Sequence, residues 1–276
     1  MNEGRASAPS LLGPATLSAS DLPSYYLRPG VTFPDWSAVT APAADNALTA
    51  ILSAFDLAQQ WGGYGAEEDR VRRAVIEGLV ELDRAPDAAW IVIRTGLDQG
   101  RVAALLDRLV SRDLVVRDSD SNAIVGAYPL TTRSTEHRVR FGGRIVQAMC
   151  AVDAFGIGAM FRADAVIESR CRACRAPIRV ATRDLGTALD HVEPGSTVVW
   201  SGIRYDGACA ATSICTIIAF FCSEDHLEEW RRTNHPDTEG YRLAPDEAMQ
   251  VGLALFAPVL TPATGDEERI ALAQKS

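Results

Sequence analysis

The stretch Arg144-Ile-Val-Gln-Ala-Met-Cys150-Ala-Val-Asp153-Ala-Phe-Gly156-Ile-Gly158 decides how the chain is read. Ile145, Met149, Val152 and Phe155 recur at steps of three or four, which predicts a mostly buried helix from about Arg144 to Ala154. Residues three apart on a helix project side by side, so Cys150 and Asp153 are expected to share a face, a thiol beside a carboxyl group. Gly156 and Gly158 are then expected to loosen or end the helix.

A second cysteine-bearing run, Ser213-Ile-Cys215-Thr-Ile-Ile-Ala-Phe-Phe221, has another period. It is rich in β-branched and aromatic residues, and Cys215, Ile217, Ala219 and Phe221 alternate with Thr216, Ile218, Phe220 and Cys222, which predicts a strand. A strand is a rigid mount from which Cys215 could meet Cys150 across a core crevice. Two thiols and a carboxylate that converge make a site for a soft metal, because thiolate sulfur binds such cations strongly.

A third stretch, Ser169-Arg-Cys171-Arg-Ala-Cys174-Arg-Ala-Pro177, holds the one Cys-x-x-Cys of the chain. Such a pair can bind zinc or cycle as a dithiol. Structural zinc takes four ligands, and the nearest further candidates in sequence, His191 and Cys209, form no second tight pair, so zinc is disfavoured. The aromatic-Cys-x-x-Cys context of a thiol-disulfide oxidoreductase is absent too. Cys209 and Cys222 are expected to be small core residues. His137, His191, His226 and His235 show no ligand spacing. His226 lies in an amphipathic helix over Glu224-Asp-His-Leu-Glu-Glu-Trp-Arg-Arg232, capped by Ser223 with acids early and arginines late, and is expected on its solvated face.

These residues together resemble the organomercurial (alkylmercury) lyases. The resemblance runs from roughly Glu67 to Leu260 and rests on Cys150-Ala-Val-Asp153, Ser169-Arg-Cys171 leading to Ala176-Pro177, Ser213-Ile-Cys215 with Phe220-Phe221, and Glu229-Trp230 with the tail from Pro245. It implies a catalytic set of Cys150, Asp153 and Cys215, which would also hold mercury as substrate and product. It implies that Cys171 is structural, with Cys174 an extra thiol that could scavenge or relay mercury. Two positions depart from the pattern: Met149 stands where an aromatic residue precedes the first catalytic cysteine, and Thr216 where some relatives carry a second cysteine.

The implied reaction is protonolysis of a carbon-mercury bond. Two thiolates on one mercury push electron density toward the leaving carbon, and a carboxyl group beside the metal can take a proton from a thiol and pass it on. The resemblance implies an order: one thiol captures the organomercurial, the second joins, the hydrocarbon leaves protonated, and mercuric ion stays on the protein. No cofactor is expected beyond external low-molecular-weight thiols that carry the ion away, and handover to a mercuric reductase is a candidate partnership. Ordinary cysteines are only a few per cent ionised at neutral pH. Arg144, about a turn and a half before Cys150 on the expected helix, is a candidate source of positive charge. Burial would hold the thiols neutral until metal binding displaces their protons.

Composition bounds the alternatives. The 276 residues are 47% hydrophobic with six cysteines and a formal charge of -9. Basic residues are almost all arginine, Lys275 being the only lysine. The negative balance argues against general affinity for nucleic acid or acidic lipid. No apolar run approaches the roughly 20 residues of a membrane span, and Met-Asn-Glu-Gly-Arg5 does not read as a signal peptide. A cytoplasmic location with reduced thiols is expected.

Organisation along the chain predicts an α+β fold: an N-terminal winged-helix-like helical unit followed by a small, mostly antiparallel sheet domain with packed helices. Residues 1–64 read as an extension, irregular to Asp45 with Tyr25, Tyr26 and Trp36 available for packing, then a helix from Ala47 to Trp61 closed by Gly62-Gly63. Residues 65–134 hold helices Glu67 to Leu82, Ala88 to Thr95 and Gln99 to Arg112, then a hairpin, Leu114 to Arg117 and Ala123 to Pro129, around Asp118-Ser-Asp-Ser-Asn122. Residues 135–276 read as the lyase-like domain, with strands at His137 to Phe141, Ala165 to Arg170, Pro177 to Thr182, Thr197 to Ile203 and Ile214 to Phe221, and helices from Glu224 and Pro245. The rival reading is a winged-helix regulator that senses metal through its cysteines. Its candidate recognition helix sets Arg101, Arg108 and Arg112 against Asp107, with Asp98 just before it, and phosphate binding needs an uncompensated basic stripe. A non-catalytic heavy-metal binder built on the lyase fold is a further alternative.

Overall fold

The computed structural model describes residues 25–28, 30–56 and 60–261. A hairpin of β1 (Tyr25–Arg28) and β2 (Val31–Phe33) leads to α1 (Pro42–Phe55), which begins on a proline and ends at Asp56 in the left-handed region. Then come α2 (Ala66–Glu81), α3 (Ala88–Thr95) and α4 (Gln99–Ser111). Asp87 and Asp98 cap α3 and α4 by accepting the amides of Trp90 and Arg101. Strands β3 (Val115–Arg117), β4 (Ile124–Ala127), β5 (Leu130–Thr131), β6 (Arg138–Phe141) and β7 (Arg144–Ala148) precede α5 (Ala151–Met160). The chain continues through β8 (Ala165–Arg170), β9 (Pro177–Arg183), β10 (Ala188–Glu193), β11 (Val198–Gly202), β12 (Ile218–Phe221), α6 (Glu224–Asn234), β13 (Gly240–Leu243) and α7 (Pro245–Phe256).

The fold is α+β, as expected. An eight-stranded sheet has the order β10-β9-β8-β6-β7-β5-β4-β3, and a three-stranded sheet the order β12-β11-β13. Their described pairings are antiparallel. Helices α2 to α4 followed by the β3–β4 hairpin keep the predicted element order, but the hairpin is no free wing. Through β5 it is hydrogen-bonded to β7 and so joins the same sheet as β8 and β9. The arginines of α4 are also spoken for: Arg101 pairs with Glu67 at 2.6 Å, and Arg108 and Arg112 lie 3.3 and 3.5 Å from Glu68. That leaves no uncompensated basic stripe on them for phosphates.

Helix α5 is buried at every position and packs across α7. The crossing depends on Gly156 and Gly252. A Cβ on Gly156 would lie 2.7 Å from the Gly252 carbonyl oxygen, and one on Gly252 would lie 2.7 Å from that of Val152. Gly156 and Gly158 therefore do not end the helix, as their type predicts; they sit inside it, and Gly156 lets two backbones approach.

Three further expectations are corrected. Residues Arg144 to Ala148 form β7 rather than the start of the catalytic helix. Gly142 and Gly143, both at positive φ, make the two-residue turn that joins β6 to β7, and the strand alternates, burying Val146 and Ala148 while Ile145 is 38% exposed. The helical spacing of Ile145 and Met149 is thus coincidental. Second, the strand expected from Ile214 begins only at Ile218, because Ile214–Thr216 is a 3-10 turn. The hydroxyls of Ser213 and Thr216 donate to the carbonyls of Cys209 and Ser213, a local alternative to ladder bonding that Ser and Thr favour. Third, α1 begins at Pro42 rather than Ala47, and the β1–β2 hairpin lies in the segment expected to be irregular. Tyr26 there is exposed rather than packed. The rest of that expectation, over 1–24, and the helix continuing through 57–59 lie outside the described residues. Strands β10 and β13 were not legible as separate elements.

Candidate active site

Cys150 ends the handover from β7 to α5. It is the N-cap residue of α5, with extended backbone, and its Sγ accepts the Asp153 amide at 3.4 Å. Asp153 occupies the third position of α5. The two side chains are neighbours as the spacing of three predicts, though through cap geometry rather than a shared helical face. Cys215 sits on the 3-10 turn, and its Sγ donates to Asp153 Oδ2 at 3.8 Å. One donor atom from each of Cys150, Asp153 and Cys215 lies within 4.8 Å of the other two. The three residues are only 2%, 4% and 6% exposed.

The Cys215 turn is held by residues from elsewhere in the fold. The Tyr128 hydroxyl donates to Asp113 Oδ1 at 3.0 Å and accepts the Ala211 amide at 2.8 Å, while Asp113 Oδ2 accepts the Ala210 amide at 2.8 Å. On the other side Arg172 donates to the Thr216 carbonyl at 2.9 Å and to Glu136 at 2.8 Å. Neither Asp113 nor Tyr128 stands in a motif around the cysteines, and their only signal in the sequence is a polar group in an otherwise apolar setting: Asp113 before Leu114-Val-Val116, Tyr128 before Pro129.

The three donors border an apolar cavity of about 40 Å³, more than the roughly 10–15 Å³ that one water needs. Its walls include Ile51 and Phe55 of α1, Trp61, Tyr128, Ile214, and Leu255 and Phe256 of α7. The segment before residue 65 thus furnishes part of the pocket wall, a role the sequence did not reveal.

Burial dominates the electrostatics. It raises the Asp153 carboxyl to about 7, against hydrogen bonds from Cys150 and Cys215 that favour the anion. It also pushes the Cys150 thiol up, with the hydrogen bond from Cys215 opposing. Cys215 is held well above the ordinary thiol range, first by its interaction with the Cys150 thiol and then by burial. Arg144 takes no part: it is exposed on β7 and donates to the carbonyls of Val80 and Glu81. The cation that feels Cys150 is Arg172. His137 is fully enclosed, bonded to Ser169 at 2.9 Å, and lowered to about 3 by burial, so it is a neutral core residue.

Two buried thiols with a carboxyl group between them, facing a small apolar cavity, form a donor set whose chemistry suits a soft metal. Residues 130–257 match the family model described as alkylmercury lyase. It is 26% identical over 185 residues to the alkylmercury lyase of Staphylococcus epidermidis (strain ATCC 12228 / FDA PCI 1200), spanning 67% of this chain and 81% of that protein. It is 29% identical over 161 residues to the alkylmercury lyase of Bacillus cereus, spanning 57% and 68%. Among solved structures, the mercury-bound form of MerB2 shares the fold, with a TM-score of 0.62 and 24% identity over 80% of this chain and 100% of that one. Among the described residues, no helix is long and apolar enough to cross a membrane.

Proposed function

We propose that the protein cleaves the carbon-mercury bond of organomercurials by protonolysis, with Cys150 and Cys215 as the mercury ligands and Asp153 as the proton relay. The observation that carries this reading is the convergence of three donor atoms within 4.8 Å at an apolar cavity. An organomercurial cation first exchanges onto one thiol, which loses its proton. Cys215 faces Asp153 and is suited to hand its proton to the carboxylate as its sulfur joins the metal. Asp153 then protonates the carbon, the carbon-mercury electron pair leaves with that carbon as a C–H bond, and mercuric ion remains on two thiolates. A carboxyl group poised near 7 can accept and return a proton at neutral pH with little penalty either way. Low-molecular-weight thiols then take the ion, with delivery to a mercuric reductase a partnership consistent with that chemistry. Residues 65–134 act in this reading as a packing unit that holds the Cys215 turn through Asp113 and Tyr128, and not as a DNA-binding domain.

The test is incubation of reduced protein with methylmercury or phenylmercury and excess thiol, with methane or benzene measured. Product is expected from the wild type and none above background from Cys150→Ser, Cys215→Ser or Asp153→Asn. Tight mercury binding without hydrocarbon release would mark the protein as a binder instead.

A further inference from the structure

The Cys-x-x-Cys turn does not stand alone. Cys171 and Cys174 lie in the turn after β8, Cys222 follows β12, and His226 is in the first turn of α6. One donor atom from each of the four lies within 4.8 Å of the others. Cys174 Sγ is 3.6 Å from Cys222 Sγ, and His226 Nδ1 lies 2.9 Å from Cys222 Sγ and 4.0 Å from Cys171 Sγ. Tetrahedral zinc, with bonds of about 2.3 Å to sulfur and about 2.1 Å to nitrogen, spaces its ligands at about 3.8 Å for two sulfurs and about 3.5 Å for sulfur and nitrogen. The observed separations scatter around those values.

The backbone is already shaped to present the four groups. Arg175, at positive φ, donates its amide to the Cys171 carbonyl at 2.9 Å, and the Cys171 amide donates to the Ala176 carbonyl at 2.8 Å, which closes a tight loop around the first two thiols. Ser223 caps α6 by accepting the His226 amide at 3.3 Å, which fixes the residue that carries the imidazole. The Arg172 amide donates to the Phe220 carbonyl at 3.0 Å, tying the loop to the end of β12 just before Cys222.

We infer that Cys171, Cys174, Cys222 and His226, the last through Nδ1, bind one zinc ion at a site distinct from Cys150, Asp153 and Cys215. Binding converts three thiols to thiolates, releases their protons to solvent, and leaves the imidazole neutral. Four protein ligands complete the coordination and leave no position for a reacting molecule, so the ion is structural. It joins the end of β8 in the large sheet to β12 in the small one and to α6. Its reach extends to the reaction chemistry, because Arg172, between the first two ligands, is the residue that holds the Thr216 carbonyl beside Cys215. Cys222 and His226, expected as a small core residue and a solvated one, are both half-buried, with Sγ and Nδ1 2.9 Å apart. Cys209 packs near Tyr128, and exposed His191 sits on β10, so neither candidate singled out from the sequence joins the cluster.

The experiment is elemental analysis of the full chain purified from zinc-supplemented cells without chelator. One zinc per chain is expected in the wild type and in Cys150→Ser/Cys215→Ser, and background zinc in Cys174→Ser and His226→Ala. Exchange of cobalt into the wild type should give the visible bands of tetrahedral cobalt with thiolate charge transfer, an assay that stands even where a variant fails to fold. Three results would overturn the assignment: metal-free protein that titrates all six thiols and refuses cobalt, a Cys174–Cys222 disulfide in the peptide map, or zinc that disappears only when Cys150 and Cys215 are replaced.

Discussion

Tyr128 and Asp113 form a buried hydrogen bond of 3.0 Å whose outer valences are taken up by the amides of Ala211 and Ala210. One residue follows β4 and the other follows α4, yet what they hold is the loop that ends at Cys215. The position of the Cys215 thiol is therefore set from the helical half of the molecule.

Replacing Tyr128 by phenylalanine removes the hydroxyl and leaves the Ala211 amide and one Asp113 oxygen without their partner. A loss of about 1–3 kcal/mol of stability is expected, read from the urea midpoint. Hydrocarbon release should fall further than the folded fraction does, since the turn carrying Cys215 loses its fixed position. Unchanged turnover in a destabilised variant would argue that Tyr128 supports the fold alone.

Asp153 makes stability depend on pH with a definite sign. Its carboxyl titrates at about 7 in the folded protein against 3.8 ordinarily, so the folded state binds the proton more tightly than the unfolded one. Stability is highest, on this account, below about pH 4 and falls as pH rises to about 7, by an amount on the order of a few kcal/mol. Asp153→Asn removes the titration. The variant should match the wild type near pH 4 and exceed it at pH 8, as measured by denaturant midpoints at both values. A constant difference across that window would contradict the burial argument.

Gly156→Ala inserts a methyl group where the Gly252 carbonyl already sits. Despite the better helix propensity of alanine, the crossing of α5 and α7 must open, and overpacking of this kind costs about 1–3 kcal/mol. A melting temperature at or above that of the wild type would show that the two helices separate freely.

The walls supplied by α1 should govern which guests fit. Ile51→Ala or Phe55→Ala enlarges a cavity of only about 40 Å³. The expected outcome is a rise in kcat/KM for phenylmercury relative to methylmercury, accompanied by a stability loss of about 2–5 kcal/mol. An unaltered ratio would place the limit on substrate size elsewhere.

Part of this was legible in advance. Helices α3 and α4 follow aspartate caps and α2 opens with three acids in its first turn, all with apolar periodicity, and β8 and β9 show alternation, because local chemistry decides such elements. Cys150 and Asp153 are neighbours as expected, but for a partly different reason. Their spacing of three serves an N-cap as well as a helical face, while Ile145 and Met149 mimicked a helix that Gly142-Gly143 should have warned against. Cys215 was placed on a strand because β-branched residues favour one, and the turn that overrides this preference is held by Asp113 and Tyr128, remote in sequence. The Cys222-x-x-x-His226 spacing was visible, but its partners lie on the turn after β8, and nothing local signals that two sheets meet there.

The cavity has one wall from α1 and another from α7, elements far apart in sequence. During synthesis, Cys150 and Cys215 emerge before Leu255 and Phe256 exist to roof them. The two thiols therefore stay unroofed through the stage of synthesis that precedes the last helix. Rapid docking of that helix would shorten the time for which they are exposed.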